Sequence, residues 1–354
     1  MTKQEIETPA LLVDLDKMEA NLERMAAFFR KVPAKLRPHY KNHKCLDLAA
    51  RQVAAGAVGM TCATLREAEC LVQHGIGSVL LANEIVDPAK IRRFVELARQ
   101  ADVIVCVDNE TVADELARAG RNASTPVSVL VDVDVGQHRC GVLPGEPTLH
   151  LVRGVLAKGL RFRGLMGYEG HIGHELPGPE KEAAVAAALR PLMETKACLE
   201  KEGVPVEIVS GGGTGTYALT GCHPGVTEIQ AGSYLLMDTN YRQCCTDFEV
   251  ALTMLTTVIS KTSGERIVVD AGLKTLSCER GNPAVKDFEG LTVRKLNAEH
   301  GIIDLQRGSE PVQVGDRIEL WVRYSDATIN LHERMYGVRN GHVEKVFCLS
   351  GRAQ

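Results

Sequence analysis

The sequence predicts an α/β protein: a (β/α)8 barrel followed by a mostly antiparallel β domain. Two observations carry this. Over the first two thirds of the chain, short runs rich in Val, Leu and Ile alternate with longer segments that place apolar residues at i, i+3 and i+4. After about residue 245 the alternation stops, and strand-like runs follow one another with only turns between them.

The elements follow in order. "ALLVDL" precedes the helical pattern "DKMEANLERMAAFFRK", and "AKLRPHYK" precedes "CLDLAARQVAAG". "AVGMTCA", "SVLLAN", "DVIVCVD" and "VSVLVDVDVG" each lead into an amphipathic segment: "LREAECLVQHG", "DPAKIRRFVELARQ", "ETVADELARAG" and "TLHLVRGVLAKG". "RFRGLMGYEG" leads into "EKEAAVAAALRPLMETKACLEKEG", and "VEIVSGGGTG" and "TEIQAGSYLLMD" close the series. Strands alternating with helices in this way mean βαβ units and a parallel sheet covered on both faces. Roughly eight or nine repeats fit a closed barrel better than an open doubly wound sheet, the structural alternative. "EVALTMLTTVISKT", "ERIVVDAG", "LTVRKLNAEHG", "DRIELWVRY" and "HVEKVFCLSG" then read as strands without a long helix. The expected domains are a barrel over 8–243 and a β domain over 244–354, to which residues 1–7 can contribute.

Composition limits the function. The 354 residues carry a formal net charge of -4 with both signs interspersed, which does not suit a nucleic-acid partner. "MTKQEIETPALLVDLDKMEANLERM" has no long apolar run, so neither a signal peptide nor a membrane span is expected. Eleven cysteines without a CxxC pair read as reduced thiols of a cytoplasmic protein, not a zinc ribbon or a disulfide framework.

In a barrel the chemistry sits at the C-terminal ends of the strands. Four stretches qualify. "RPHYKNHK" (37–44) ends the second run and offers Lys41 as a reactive amine with Lys44 beside it; a solvated basic loop is the alternative. "SGGGTGTY" (210–217) has glycines that let backbone N–H groups approach an anion, although it is neither a P-loop nor GxGxxG; a flexible tight turn would look the same. "VDVDVGQHRCGV" (131–142) offers Arg139 to a phenolate or carboxylate, or simply to solvent. "MGYEGHIGH" (166–174) gathers Tyr168, Glu169, His171 and His174, where an imidazole suits acid–base work at neutral pH. Together, a lysine, an arginine, a Tyr/His cluster and a phosphate loop match the needs of pyridoxal 5'-phosphate.

In these motifs the chain resembles the fold-type III pyridoxal-phosphate enzymes, those of the alanine racemase fold, and within them the D-threonine aldolase and D-serine dehydratase branch. "TPALLVDLDKMEANL", "RPHYKNHK", "VDVDVGQHRCGV", "VSGGGTGTY", "EIQAGSYLLMD", "VVDAGLKTLS" and "NLHERMYGVRNGHVEKVF" carry the resemblance over nearly the whole length. It implies that Lys41, not Lys44, is the Schiff-base lysine. It implies that Arg139 approaches the ring oxygen of the cofactor and that Tyr168 lies near the ring. Gly212, Gly213, Thr214, Gly232, Ser233 and Tyr234 fall where the phosphate is held. His174 matches the base on the substrate's β-hydroxyl in the aldolases. The resemblance also implies a homodimer and a small-molecule D-amino acid substrate.

One departure concerns a divalent metal. The branch usually carries His-x-Cys or His-x-Asp in the β domain; here the tripeptide is Tyr324-Ser325-Asp326. Asp326 is kept as a metal ligand, but a neutral phenol is a poor ligand beside an imidazole. Tyr324 then becomes a candidate for polar or acid–base work, and His300 a candidate replacement. The aspartate and His174 favour retro-aldol cleavage of a D-configured 3-hydroxy-α-amino acid to glycine and an aldehyde. Elimination from D-serine or D-threo-3-hydroxyaspartate, to keto acid and ammonia, is the second reading, and metal normally assists its leaving group. Amino-acid racemisation, which needs a second base, is the third. A cofactor carrier is a fourth, against which the β domain speaks.

Overall fold

The computed structural model describes residues 1–308 and 311–352. Of the block expected over 244–354, Ser309, Glu310, Ala353 and Gln354 therefore lie outside the described residues. By packing the chain forms two units. One takes residues 1–24, 42–45 and 233–350; the other takes 25–41, 46–232 and the segment from 351.

The opening run departs from the expected series. Strand β1 (Ala10–Asp14) does not start the barrel; it lies in the mixed sheet of the first unit. Ala10 to Val13 are all buried. A continuous apolar run of this kind suits a barrel strand and a central strand of a two-sided sheet equally well, so its periodicity cannot choose between them.

The second unit is the barrel. Its strands are β2 (Lys35–Leu36), β3 (Met60–Cys62), β4 (Ser78–Leu81), β5 (Asp102–Val107), β6 (Ser128–Asp132), β7 (Arg161–Gly167), β8 (Ile208–Gly211) and β9 (Glu228–Ile229). All pair in parallel in the order β2-β9-β8-β7-β6-β5-β4-β3. A parallel bridge between His39 and Thr61 closes the ring, with Val58 N–H donating to the Leu36 carbonyl at 2.9 Å and Thr61 N–H to the Pro38 carbonyl at 2.8 Å. Leu80, Ile104, Cys106, Leu130, Met166 and Ile208 form a buried cluster contributed by β4 to β8. The helices cover the outside through one apolar stripe each. The helix Glu110–Asn122, for example, buries Val112, Ala113, Leu116, Ala117 and Gly120. Side chains start them: Thr64 and Glu67 form a capping box, and Asp87 and Asn109 accept first-turn N–H groups.

In the first unit β1 is followed by β10 (Leu252–Ser263), β11 (Arg266–Val269), β12 (Ala284–Val285), β13 (Leu291–Leu296), β14 (Gly301–Leu305), β15 (Arg317–Trp321), β16 (Arg334–Arg339) and β17 (His342–Cys348). The order is β13-β14-β11-β10-β1-β16-β17, with β15 paired to β10 and β12. Every pairing is antiparallel except β1 with β16. Ile6, Ala10, Leu12 and Leu255 pack beneath Tyr336, Val338 and Val343.

Candidate active site

The octapeptide 37–44 is not a solvated basic loop. Arg37 is buried; its Nε donates to Glu228 Oε2 at 2.9 Å and its Nη1 to Ser78 Oγ at 3.0 Å. Arg37 N–H donates to the Ile229 carbonyl, His39 N–H to the Ala231 carbonyl and Tyr40 N–H to the Thr61 carbonyl. The backbone is thus held by ladders on both flanks up to fully buried Tyr40, and half-buried Lys41 follows where the ladders end. Gly232 lies against this segment: a Cβ there would sit 2.6 Å from the His39 carbonyl oxygen.

The glycine-rich loop leaves β8 with Gly212 in the left-handed region at φ 69°. Tyr168 follows β7, and a Cβ at Gly213 would lie 3.4 Å from its ring. The Arg139 guanidinium stands 5.6 Å from the centre of the same ring. Arg139, Tyr168 and Gly213 are therefore neighbours, brought together from the ends of β6, β7 and β8. Thr214 is buried in the loop. Gly215 lies against the Gly173 carbonyl with no room for a Cβ, so the turn 170–174 packs on the loop. His174 itself is exposed on that turn. His171 borders a cavity of 670 Å³ lined also by Glu175, Glu180 and Lys181.

Sequence reasoning assigned no role to several acids here, although Glu169 stood in the 166–174 cluster. Glu169 is fully buried and accepts from Gly212 N–H at 3.1 Å, from Thr216 Oγ1 at 2.7 Å and from Thr220 Oγ1. Asp132 ends β6 on the strand that leads to Arg139. Burial, and then the charge of Glu84, push its carboxyl up to about 8, against the opposing pull of Arg139. Glu84, Asp108 and Cys140 bring their oxygens and sulfur within 4.8 Å of one another, and Gly141 N–H donates to Asp108 Oδ2 at 3.2 Å. Burial and Glu84 together push the Cys140 thiol up.

In the first unit, Asn42 is a buried hub. Its Nδ2 donates to Ser325 Oγ at 2.9 Å, to Asp326 Oδ1 at 2.5 Å and to Ser233 Oγ at 3.3 Å. Ser325 in turn donates its N–H and its hydroxyl to fully buried Asp238, at 2.8 and 2.7 Å. Burial pushes the Asp238 carboxyl up while these donors pull it down. Tyr234 is a core residue whose ring packs 5.6 Å from that of Phe248. Tyr324 is half-buried with the Arg280 guanidinium 5.6 Å from its ring centre. Burial, then Asp326, push its phenol up to about 12, so it stays neutral at working pH. His300 is exposed at the turn between β13 and β14.

These residues fit pyridoxal phosphate. At Gly232 the backbone comes so close to His39 that a Cβ would strike its carbonyl oxygen, and at Gly213 a Cβ would touch the Tyr168 ring. Around them stand an amine, a guanidinium, a phenol and a threonine hydroxyl, the donor set that an anionic aldehyde cofactor requires.

Comparison with known proteins agrees. The family model described as alanine racemase, N-terminal domain, matches residues 13–240, and that of a serine dehydratase domain matches residues 251–338. A D-threonine aldolase of Arthrobacter sp is 37% identical over 352 residues, 98% of this chain and 93% of that protein. A 3-hydroxy-D-aspartate aldolase of Paracoccus denitrificans (strain Pd 1222) is 35% identical over 100% of this chain and 94% of its own length. The crystal structure of D-threonine aldolase from Filomicrobium marinum superposes with a TM-score of 0.95 at 37% identity, covering 99% of this chain and 96% of that one. With a closed parallel barrel, a donor set suited to pyridoxal phosphate and these full-length likenesses, the chain belongs to the pyridoxal-phosphate-dependent alanine racemase-fold family, in the branch of the D-threonine aldolases and D-serine dehydratases.

Proposed function

We propose that this protein is a pyridoxal-phosphate-dependent carbon–carbon lyase that cleaves D-configured 3-hydroxy-α-amino acids into glycine and an aldehyde. The observation that carries the reading is likeness over almost the full length to two aldolases that differ in the substrate side chain. The bound cofactor supplies an electron sink for the pair released when the Cα–Cβ bond breaks. Lys41 would hold the cofactor through its side-chain amine. Arg139 and Tyr168 would hold the ring, and Thr214, Gly232, Ser233 and Tyr234 would lie at the phosphate end of a loop that Gly212 and Gly213 shape. His174 accepts the proton of the β-hydroxyl.

Tyr324 stands where the branch usually offers an imidazole, and Asp326 already takes the amide of Asn42. We therefore read the reaction as independent of a metal at Asp326, with Tyr324 a neutral hydrogen-bonding group toward the substrate. The cofactor block is taken as 8–243 and the block that supplies Tyr324 and Asp326 as 244–354. The working form is taken as a cytoplasmic homodimer. Among the described residues no helix is long and apolar enough to cross a membrane.

The test is product analysis of the cofactor-loaded protein with a panel of D-3-hydroxy amino acids, with and without a chelator. Glycine plus aldehyde, undiminished by chelator, is the expected result. Keto acid plus ammonia would move the protein to the dehydratases, and interconversion of D and L forms alone would make it a racemase.

A further inference from the structure

Glu169 is an acid in an unexpected place. It is fully buried, and among the described residues every donor at its carboxylate comes from the segment 212–220 that follows β8. A carboxylate beside an anion-binding loop repels the anion, so its presence calls for another role. The bonds show one. Oε2 takes the N–H of Gly212, whose φ of 69° only glycine adopts readily. Oε1 takes the hydroxyls of both Thr216 and Thr220. Thr216 Oγ1 meanwhile accepts the N–H of Gly213 at 3.1 Å. The first two amides of the loop are thus fixed through one carboxylate, Gly212 directly and Gly213 by relay through Thr216. The same carboxylate also ties the loop to the first turn of the short helix Tyr217–Gly221.

We propose that Glu169 is a positioning residue for the phosphate end of the cofactor site: it holds 212–220 in the one backbone shape that receives a phosphate monoester. This rests on the pyridoxal-phosphate reading above. It also revises the sequence expectation for two residues. The N–H groups of Gly212 and Gly213 already serve acceptors of the protein, so these glycines shape the loop, and the phosphate is left to the donors that follow them. An amide in place of the carboxylate cannot do the same work. The carboxylate uses both oxygens for three donors, whereas glutamine has one oxygen. Either its NH₂ faces Gly212 N–H, or it faces hydroxyls, one of which already accepts from Gly213.

The experiment compares two ligands on the same apoprotein. Binding of pyridoxal 5'-phosphate and of pyridoxal, which lacks the phosphate, is titrated by the absorbance of the bound chromophore, for wild type and Glu169→Gln. The expected result is about tenfold or greater weakening for the phosphorylated ligand, the scale of one lost charge-assisted hydrogen bond, with pyridoxal changed less than about twofold. Equal weakening of both ligands would show a merely structural residue, and no weakening of either would show no role; both overturn the proposal. If Glu169→Gln does not fold, Thr220→Val, which removes one donor and keeps the carboxylate, is compared with Thr220→Ser. A phosphate-selective loss in Thr220→Val that Thr220→Ser restores supports the proposal, and its absence overturns it. A wild-type protein that binds neither ligand fails differently: it removes the cofactor reading itself.

Discussion

At the scale of single residues, the Asp132–Glu84 pair makes a prediction about pH. Asp132 is 5% exposed, and its carboxyl lies near 8 because burial and the neighbouring Glu84 both disfavour a second negative charge. In the unfolded chain the same group titrates near 3.8. A folded-state value above the unfolded one means that the folded protein binds the extra proton between those limits. Its stabilising effect is complete below about pH 4 and is lost as pH rises toward about 8, by at most about 1.4 kcal/mol per pH unit. Asp132→Asn mimics the protonated acid at every pH. The wild-type Tm, followed from pH 5 to 9, is expected to fall relative to that of Asp132→Asn and to level off above about 8. Parallel curves would mean that no proton is held there. Nothing in "VDVDVGQ" announces this, because the raised carboxyl depends on Glu84, which lies on another strand end. Glu169 was hidden for the same reason: its donors stand 43 to 51 residues away along the chain.

At the scale of elements, the barrel was legible because β3 to β7 each read as a short apolar run followed by a striped helix, a pattern that local sequence encodes. The site loops were legible as positions, since the ends of such strands are where a barrel keeps its chemistry. The character of the loops was not. Two lysines, two histidines and an arginine in 37–44 look like a charged surface, yet Arg37, His43 and Lys44 are buried. What buries Arg37 is Glu228 in β9, nearly two hundred residues on, together with Ser78 at the start of β4. This pair pins β2 to β9, the link in the ring that joins the residues farthest apart along the chain. Arg37→Ala would leave Glu228, itself 4% exposed, as an uncompensated buried charge. The expected cost is about 3–5 kcal/mol. It is measurable by urea unfolding, with the loss reduced in the double variant Arg37→Ala/Glu228→Ala. A single variant as stable as wild type would show that β2 is held by its backbone ladders alone.

At the scale of the whole molecule, the chain does not run through one unit and then the next. It enters the barrel only after residue 24, leaves it for 42–45, and returns to the first unit at 233. A boundary near 243 is where the sequence texture changes, so the texture marks the end of the βα repeats and misses the strand that precedes them. That strand decides what a truncated chain can do. β1 has two neighbours, β10 and β16, and both lie beyond residue 243. A fragment of residues 1–243 would keep all eight barrel strands but leave β1 with both edges unpaired. Leu11, Leu12 and Val13, at 3% exposure or less, would face water at about 1.5–3 kcal/mol each. Unpaired apolar strand edges are also templates for association. The fragment 1–243 is therefore expected to aggregate in size-exclusion chromatography, and removal of residues 1–14 from it is expected to restore solubility. If the fragment 1–243 stays monomeric with a barrel-like circular dichroism spectrum, the pairing of β1 with β10 and β16 is dispensable, and the division read from the sequence texture is the one the chain uses.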